Sequence, residues 1–300
     1  MRILAGIVTH NRRELLRRCV DAVKTQTRAP DGLVVIDNGS NDGTDEMLAG
    51  LGVFSIRQEN VGSAGGWHRA IQHAIDENYD AVWLMDDDGF PDSAALGILE
   101  KSLDPEMACV SSVVVREDEA SRFVFPFPIL DANGQPAILR FPRKIRSLPE
   151  LLGYSGCGVY PFVHLFNGAL ISAAAIRAAG NVDRDFFIFG DEVDYFFRLR
   201  AVGKVVSILD ARHFHPDVSK RPYSSVKVYY YTKNSIVLNR RYFNMSAVRS
   251  ILTLMAALGR TANRNGWRVA ASYVVGRNAS VLGRAIVRGM RGQIGQDFDG

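Results

Sequence analysis

Three consecutive aspartates, Asp86, Asp87 and Asp88, follow directly on the apolar run AVWLM. Adjacent carboxylates repel one another unless something cationic sits among them. Oxygen ligands of this kind suit Mg²⁺ or Mn²⁺, which can also hold substrate phosphates. The bland alternative is a solvated acidic turn before the next helix, but a position at a strand end argues for the functional use. A second cluster, FFIFGDEVDYFFRLR, places Asp191, Glu192 and Asp194 at the start of a helix. The helix dipole favours negative charge there, which is enough to explain Asp194. The flanking aromatics suggest a partly buried setting for Asp191 and Glu192, where a carboxylate can serve as a general base. After the run VVSIL come His213 and His215, each a candidate metal ligand or an ordinary packed imidazole. Finally, the stretch from Asn60 to Gly66 opens a helix with small residues that allow close backbone approach to ribose or phosphate, although glycines before helices are also common turn material.

The surrounding pattern indicates how these residues are positioned. RILAGIV, LVVID, GVFSI and AVWLM are apolar runs separated by segments with helical spacing, the first carrying Leu15, Leu16, Cys19, Val20 and Val23. Such alternation predicts an α/β chain with crossover units and a mainly parallel sheet flanked by helices. Ligands bind beyond the carboxyl ends of such strands. Thr9 and Asn11, Asp37, Asn60 and the three aspartates each follow one of the four runs. Residues 116–160 read as loops and irregular strands, and residues 226–290 as helical with a turn near Gly266.

Charge divides the chain. Residues 1–217 hold 22 basic and 30 acidic side chains, whereas residues 218–296 hold 14 Lys and Arg and no acid. The expected organisation is a catalytic domain over 1–217 and a basic helical region over 218–300. Basic helices with apolar faces suit an anionic membrane surface or a lipid diphosphate. The competing use is packing on the catalytic domain or a homo-oligomer interface. Nucleic acid is not expected as a partner, because no nucleic-acid motif accompanies the charge. The three cysteines are odd in number and far apart, against a disulfide framework and in keeping with a reducing cytosol. The opening apolar stretch is too short to span a bilayer. A cytoplasmic enzyme lying on the inner face of the cell membrane is the expected location.

Taken in order, IVTHNR, LVVIDNGSNDGT, ENVGSAGG, VWLMDDDG, FNGALIS, FIFGDEVDYFFRLR and HFHP resemble family 2 glycosyltransferases of the GT-A fold, over about residues 1–240. DDDG, FNGAL, GDEVDY and YYYTKNSIVLNRR most resemble bacterial galactofuranosyltransferases, and rhamnosyltransferases share many of these motifs. The resemblance implies that Thr9, Asn11, Asp37 and Asn60 line a uridine and ribose pocket bordered by Gly65 and Gly66. Asp86 and Asp87 would lie against the donor, and Asp86 would alternatively face the metal. It implies Asp88 and His215 as ligands of Mn²⁺ or Mg²⁺, with His213 as runner-up, and Glu192 as base, with Asp191 as the alternative. The implied reaction is inverting transfer of galactofuranose from its UDP ester to a lipid-linked glycan, or of rhamnose from a dTDP ester. Tyr229, Tyr230, Lys233 and Asn234 are expected to bind the acceptor; Lys220, Arg221, Lys227, Lys233, Arg240 and Arg241 are the cations expected near its diphosphate, and Tyr229, Tyr230 and Tyr231 the rings expected to pack on its sugars. A nucleotidyltransferase, which also uses strand-end acids, and a non-catalytic nucleotide-sugar binding module are the competing classes.

Overall fold

A computed structural model describes residues 1–138, 140–219 and 221–298, so Lys220 lies outside the described residues. Strands β1 (Ile3–Thr9), β2 (Gly32–Asp37), β3 (Phe54–Arg57) and β4 (Ala81–Asp86) alternate with α1 (Arg13–Lys24), α2 (Thr44–Gly50) and α3 (Gly62–Asp76). The four strands pair in parallel in the order β3-β2-β1-β4. The side-chain period of two gives β1 two apolar faces. Ile3, Ala5 and Ile7 join a core with Leu16, Cys19, Val20 and Val23 of α1 and Leu48 of α2. On the opposite face Gly6 and Val8 meet α3, where a Cβ built on Gly66 would lie 2.5 Å from Val8 Cγ1. Full burial of each such aliphatic side chain contributes about 1.5–3 kcal/mol.

The chain continues through β5 (Phe90–Pro91), α4 (Ala95–Ser102), β6 (Met107–Arg116), β7 (Arg122–Pro128), β8 (Lys144–Ser147), α5 (Leu148–Leu152), β9 (Val159–Tyr160), β10 (Asn167–Ser172), α6 (Ala173–Ala179), α7 (Asp191–Arg200) and β11 (Lys204–His215). The sheet extends past β4 as β10-β6-β11-β5, with β10 antiparallel to both β4 and β6, and β6 parallel to β11. The stretch read as irregular contains β7, β8 and β9, and its apolar residues form a separate core around Phe127, Ile145 and Tyr160.

Contacts divide the chain into two units: Met1–Val182 with Tyr195–Asp217, and Asp183–Asp194 with Val218–Gly300. The second contains α8 (Ser225–Tyr242), α9 (Ser246–Asn265), α10 (Trp267–Ser272) and α11 (Ala279–Met290). Residues 183–194, expected in the catalytic domain, therefore group with the helices. The reason is visible at Asn234, whose Nδ2 donates to the carbonyls of Phe186, Ile188 and Phe189. Among the described residues no helix is long and apolar enough to cross a membrane.

Candidate active site

In the first unit the polar residues gather where the parallel strands end. Thr9 closes β1 and its Oγ1 donates to Asp87 Oδ2 at 2.7 Å. Asn11 adopts a left-handed φ of 52°. Its amide donates to Ser40 Oγ, and its Oδ1 accepts from the Asn41 amide. Asp37 closes β2, is 2% exposed, and accepts from the Ser40 amide through Oδ1. Its Oδ2 is buried with no hydrogen-bond partner among the described residues. A buried carboxylate oxygen left unpaired is costly, and a donor from a ligand would satisfy it. Asn60 is exposed and its Oδ1 accepts from the Gly62 amide.

Asp86 ends β4 and the chain turns at Asp87 and Asp88, both nearly fully buried. Arg12 is the cation between them, with Nη1 2.8 Å from Asp87 Oδ1 and 3.0 Å from Asp88 Oδ2. Burial alone would lower the Arg12 pKa, but Asp87, Asp88 and Asp86 outweigh it and hold it well above the ordinary value. The Asp87 carboxyl is pushed up by burial, a shift opposed by Arg12 and Thr9. Arg12 stood within the IVTHNR motif, but no local feature of the sequence marked it as the partner of the aspartates.

His215 reaches the same turn from the far end of the sheet. β5, directly after the aspartates, pairs antiparallel with β11, setting Phe90 opposite Phe214 and Pro91 opposite His213. This register brings His215 Nε2 to 2.8 Å from Asp88 Oδ1. His215 Nδ1 lies 2.7 Å from the Pro216 carbonyl, which can only accept, so Nδ1 carries a proton. The Nε2 lone pair then faces a carboxylate oxygen, and two acceptors at that distance require a proton or a cation. The carbonyl-anchored imidazole is the usual outer support of a metal-binding histidine. Asp88 and His215 thus fit a hard divalent ion, Mn²⁺ or Mg²⁺. Among the described residues no third His, Cys, Asp or Glu joins them to form a cage. The ion would therefore take its remaining ligands from substrate phosphates and water.

Asp86 closes β4, and among the described residues no group of three His, Cys, Asp or Glu side chains is placed to hold a metal ion. His213 is fully buried, both its ring nitrogens lack hydrogen-bond partners among the described residues, and burial, then His215, hold its pKa down to about 3. Asp87 accepts from Thr9 and Arg12. Gly65 and Gly66 are buried, and a Cβ on either would press into Val61 or Val8, so their absent side chains serve packing.

The second unit carries the acidic helix start. Phe187 and Phe189 hold left-handed φ values of 63° and 59°, followed by Gly190 at 98°. A Cβ on Gly190 would lie 3.0–3.1 Å from Leu238, Asn234 and Phe186, so the turn needs glycine on both counts. Gly190 O accepts from the Asp194 amide, starting α7. Asp194 is held by Tyr242 Oη at 2.6 Å. Asp191 is 3% exposed, and its Oδ2 has no hydrogen-bond partner among the described residues. Burial pushes Asp191 up to about 7, against backbone hydrogen bonds that lower it and with Asp194 adding to the rise. Glu192 is solvent-accessible but set among protein, and that desolvation, then Asp191, pushes it up to about 7.

The expected acceptor residues lie inside this unit. Tyr229, Tyr230, Lys233 and Asn234 are at most 1% exposed. Tyr229 Oη donates to Asp297, Tyr230 Oη accepts from the Asp297 and Phe298 amides, and Lys233 Nζ donates to Gly295 O and Asp297 Oδ1. Their polar ends are thus engaged by residues 295–298 and, for Asn234, by the carbonyls of Phe186, Ile188 and Phe189.

A mixed sheet flanked by helices, parallel through β3-β2-β1-β4 and carrying its acids where those strands end, is the architecture of the GT-A fold. The chain belongs to glycosyl transferase family 2, whose family model matches residues 5–159. It is 34% identical over 220 residues to galactofuranosyltransferase GlfT1 of Mycolicibacterium smegmatis, covering 71% of this chain and 70% of that protein. It is 32% identical over 114 residues to the O-antigen chain rhamnosyltransferase RfbN of Salmonella typhimurium, covering 37% of this chain and 36% of that protein. Among solved structures it is similar in fold to the mannosyltransferase PcManGT from Pyrobaculum calidifontis in complex with GDP-Man and Mn²⁺. That match has a TM-score of 0.57 at 15% identity and covers 96% of this chain and 80% of the other. It also resembles S. aureus TarS 1-349, with a TM-score of 0.52 at 11% identity, covering 98% and 92% of the two chains.

Proposed function

We propose that this glycosyltransferase carries out inverting, divalent-ion-dependent transfer of galactofuranose from UDP-galactofuranose to a hydroxyl of a lipid-linked glycan. The observation that carries the metal-dependent part is the 2.8 Å approach of His215 Nε2 to Asp88 Oδ1. The donor reading rests on the extended similarity to galactofuranosyltransferases, which covers about twice as much of this chain as the rhamnosyltransferase match. Bound at Asp88 and His215, the ion supplies Lewis-acid stabilisation of the charge that builds on the departing nucleoside diphosphate.

The chain's own residues do the rest. Asp37 accepts from the nucleoside through its unpaired Oδ2. Arg12 holds Asp87 and Asp88 together and keeps the turn folded against its own charge. Glu192 takes the proton from the acceptor hydroxyl as that oxygen attacks the anomeric carbon. It is preferred over Asp191 because it is accessible, whereas Asp191 is buried and accepts backbone N–H groups at the helix start. A base that titrates near 7 is matched to neutral pH.

The test is a donor panel of UDP-galactofuranose, dTDP-rhamnose, UDP-glucose and UDP-N-acetylglucosamine, assayed on a polyprenyl-diphosphate-linked glycan with Mn²⁺ or with chelator. Transfer from UDP-galactofuranose that disappears in chelator is the expected result. Preferential transfer from another donor overturns the sugar assignment, and full activity in chelator overturns the metal.

A further inference from the structure

The helical unit shows solvent an unusual combination of side chains. Nine of the seventeen exposed large hydrophobic residues among the described residues lie between Met245 and Met290. That concentration is not the scattered apolar exposure of an ordinary surface. On α9, Val248, Ile251 and Met255 are spaced by three and four residues and form one exposed stripe, while Ala257 and Thr261 on another side of the helix are buried. On α10 and the turn after it, Trp267, Val274 and Val275 are 71%, 60% and 85% exposed. Arg268, directly after Trp267, and Arg277, two residues after Val275, are exposed as well. Between residues 218 and 296 there is no acidic side chain to offset them.

We infer that this face docks on an anionic membrane surface, with Trp267, Val274 and Val275 entering the headgroup region and Arg268 and Arg277 meeting lipid phosphates. Tryptophan with aliphatic neighbours and flanking arginines is the composition that lies in a bilayer interface. The contact is with the surface, since among the described residues no helix is long and apolar enough to cross. A second copy is the poorer occupant, because a two-fold pairing of this face would set its arginines against the same arginines. Arg249 takes no part in the contact, since it is buried and bonded to Asn244. The inference supports the lipid-linked acceptor but is tested without one, so the two readings can fail separately.

The chain carries its own probe. Trp67 and Trp83 are 1% and 0% exposed, so a change in tryptophan emission on lipid addition reports Trp267. The purified protein is titrated with phosphatidylcholine vesicles, with and without phosphatidylglycerol, at low and high salt, and binding is also measured by co-sedimentation. The expected result is a blue shift and co-sedimentation with the anionic vesicles alone, weakening as salt screens the arginines. Trp267→Ser should abolish the shift and weaken binding about tenfold. The pair Arg268→Gln and Arg277→Gln should weaken it about fivefold for each charge removed. No shift at low salt overturns the proposal, as does equal binding to uncharged vesicles. So does a shift that grows with protein concentration in the absence of lipid, which would mark an interface between copies, and so does a shift produced by DNA but not by vesicles.

Discussion

Replacing Asn234 by alanine tests how the acidic helix start is held. Its single amide nitrogen reaches the carbonyls of Phe186, Ile188 and Phe189 at 3.0, 3.0 and 2.7 Å. Two N–H groups therefore serve three acceptors, the Phe186 bond buried and the other two partly so. A neutral hydrogen bond contributes about 0.5–1.5 kcal/mol net, and a buried acceptor left alone costs about 1–3 kcal/mol. The turn also keeps Phe187 and Phe189 at positive φ, a conformation that costs about 1–3 kcal/mol each and persists only while the surroundings enforce it. Without the amide, part of the turn relaxes and recovers some of that strain. The expected loss is about 2–4 kcal/mol, read as a lower urea midpoint at unchanged slope. Because α7 begins directly after the turn, Glu192 loses its fixed position. Turnover should then fall at least about tenfold with little change in UDP affinity, since an interaction made in the transition state is weakened and ground-state binding is not. A variant with the wild-type midpoint and wild-type turnover would refute the reasoning that Asn234 positions the base.

Glu192→Gln should abolish transfer while leaving UDP binding nearly intact by calorimetry; in the wild type kcat/KM should rise with pH through about 7, where Glu192 loses its proton, and a pH-independent rate from 5 to 9 contradicts the base assignment. Asp88→Ala should lose activity together with the gain in UDP affinity on adding Mn²⁺, and retention of that gain would remove Asp88 from the metal site. The folded state holds the Asp191 proton up to about 7, above the ordinary carboxyl range, so the stability this group contributes is complete below about 4 and is lost as pH rises through 7. Asp191→Asn should therefore gain on the wild type in urea midpoint between pH 5 and 8, and a constant difference across that range argues against a buried, titrating Asp191.

Much of this protein was legible in local patterns. The spacing of Leu16, Cys19, Val20 and Val23 specifies a helix with one apolar side, and RILAGIV, LVVID and AVWLM specify strands buried on both faces, because period and burial are written into consecutive residues. The three aspartates at a strand end, the acids at a helix start and the acid-free basic tail are equally local. What the sequence did not carry is which partner each group meets. Asp88 and His215 come together only because β5 pairs with the far end of β11, and Arg12 becomes the counter-ion of Asp87 and Asp88 only because β1 lies beside β4. β10 enters antiparallel between β4 and β6, a choice that crossover patterning does not specify. Tyr229, Tyr230 and Lys233 have the composition of a sugar and phosphate site, yet Gly295, Asp297 and Phe298 fold back and use their polar ends. Residue type sets which hydrogen bonds and ion pairs a side chain is able to make. Burial and non-local pairing set which of them it does make, and those are properties of the folded chain alone.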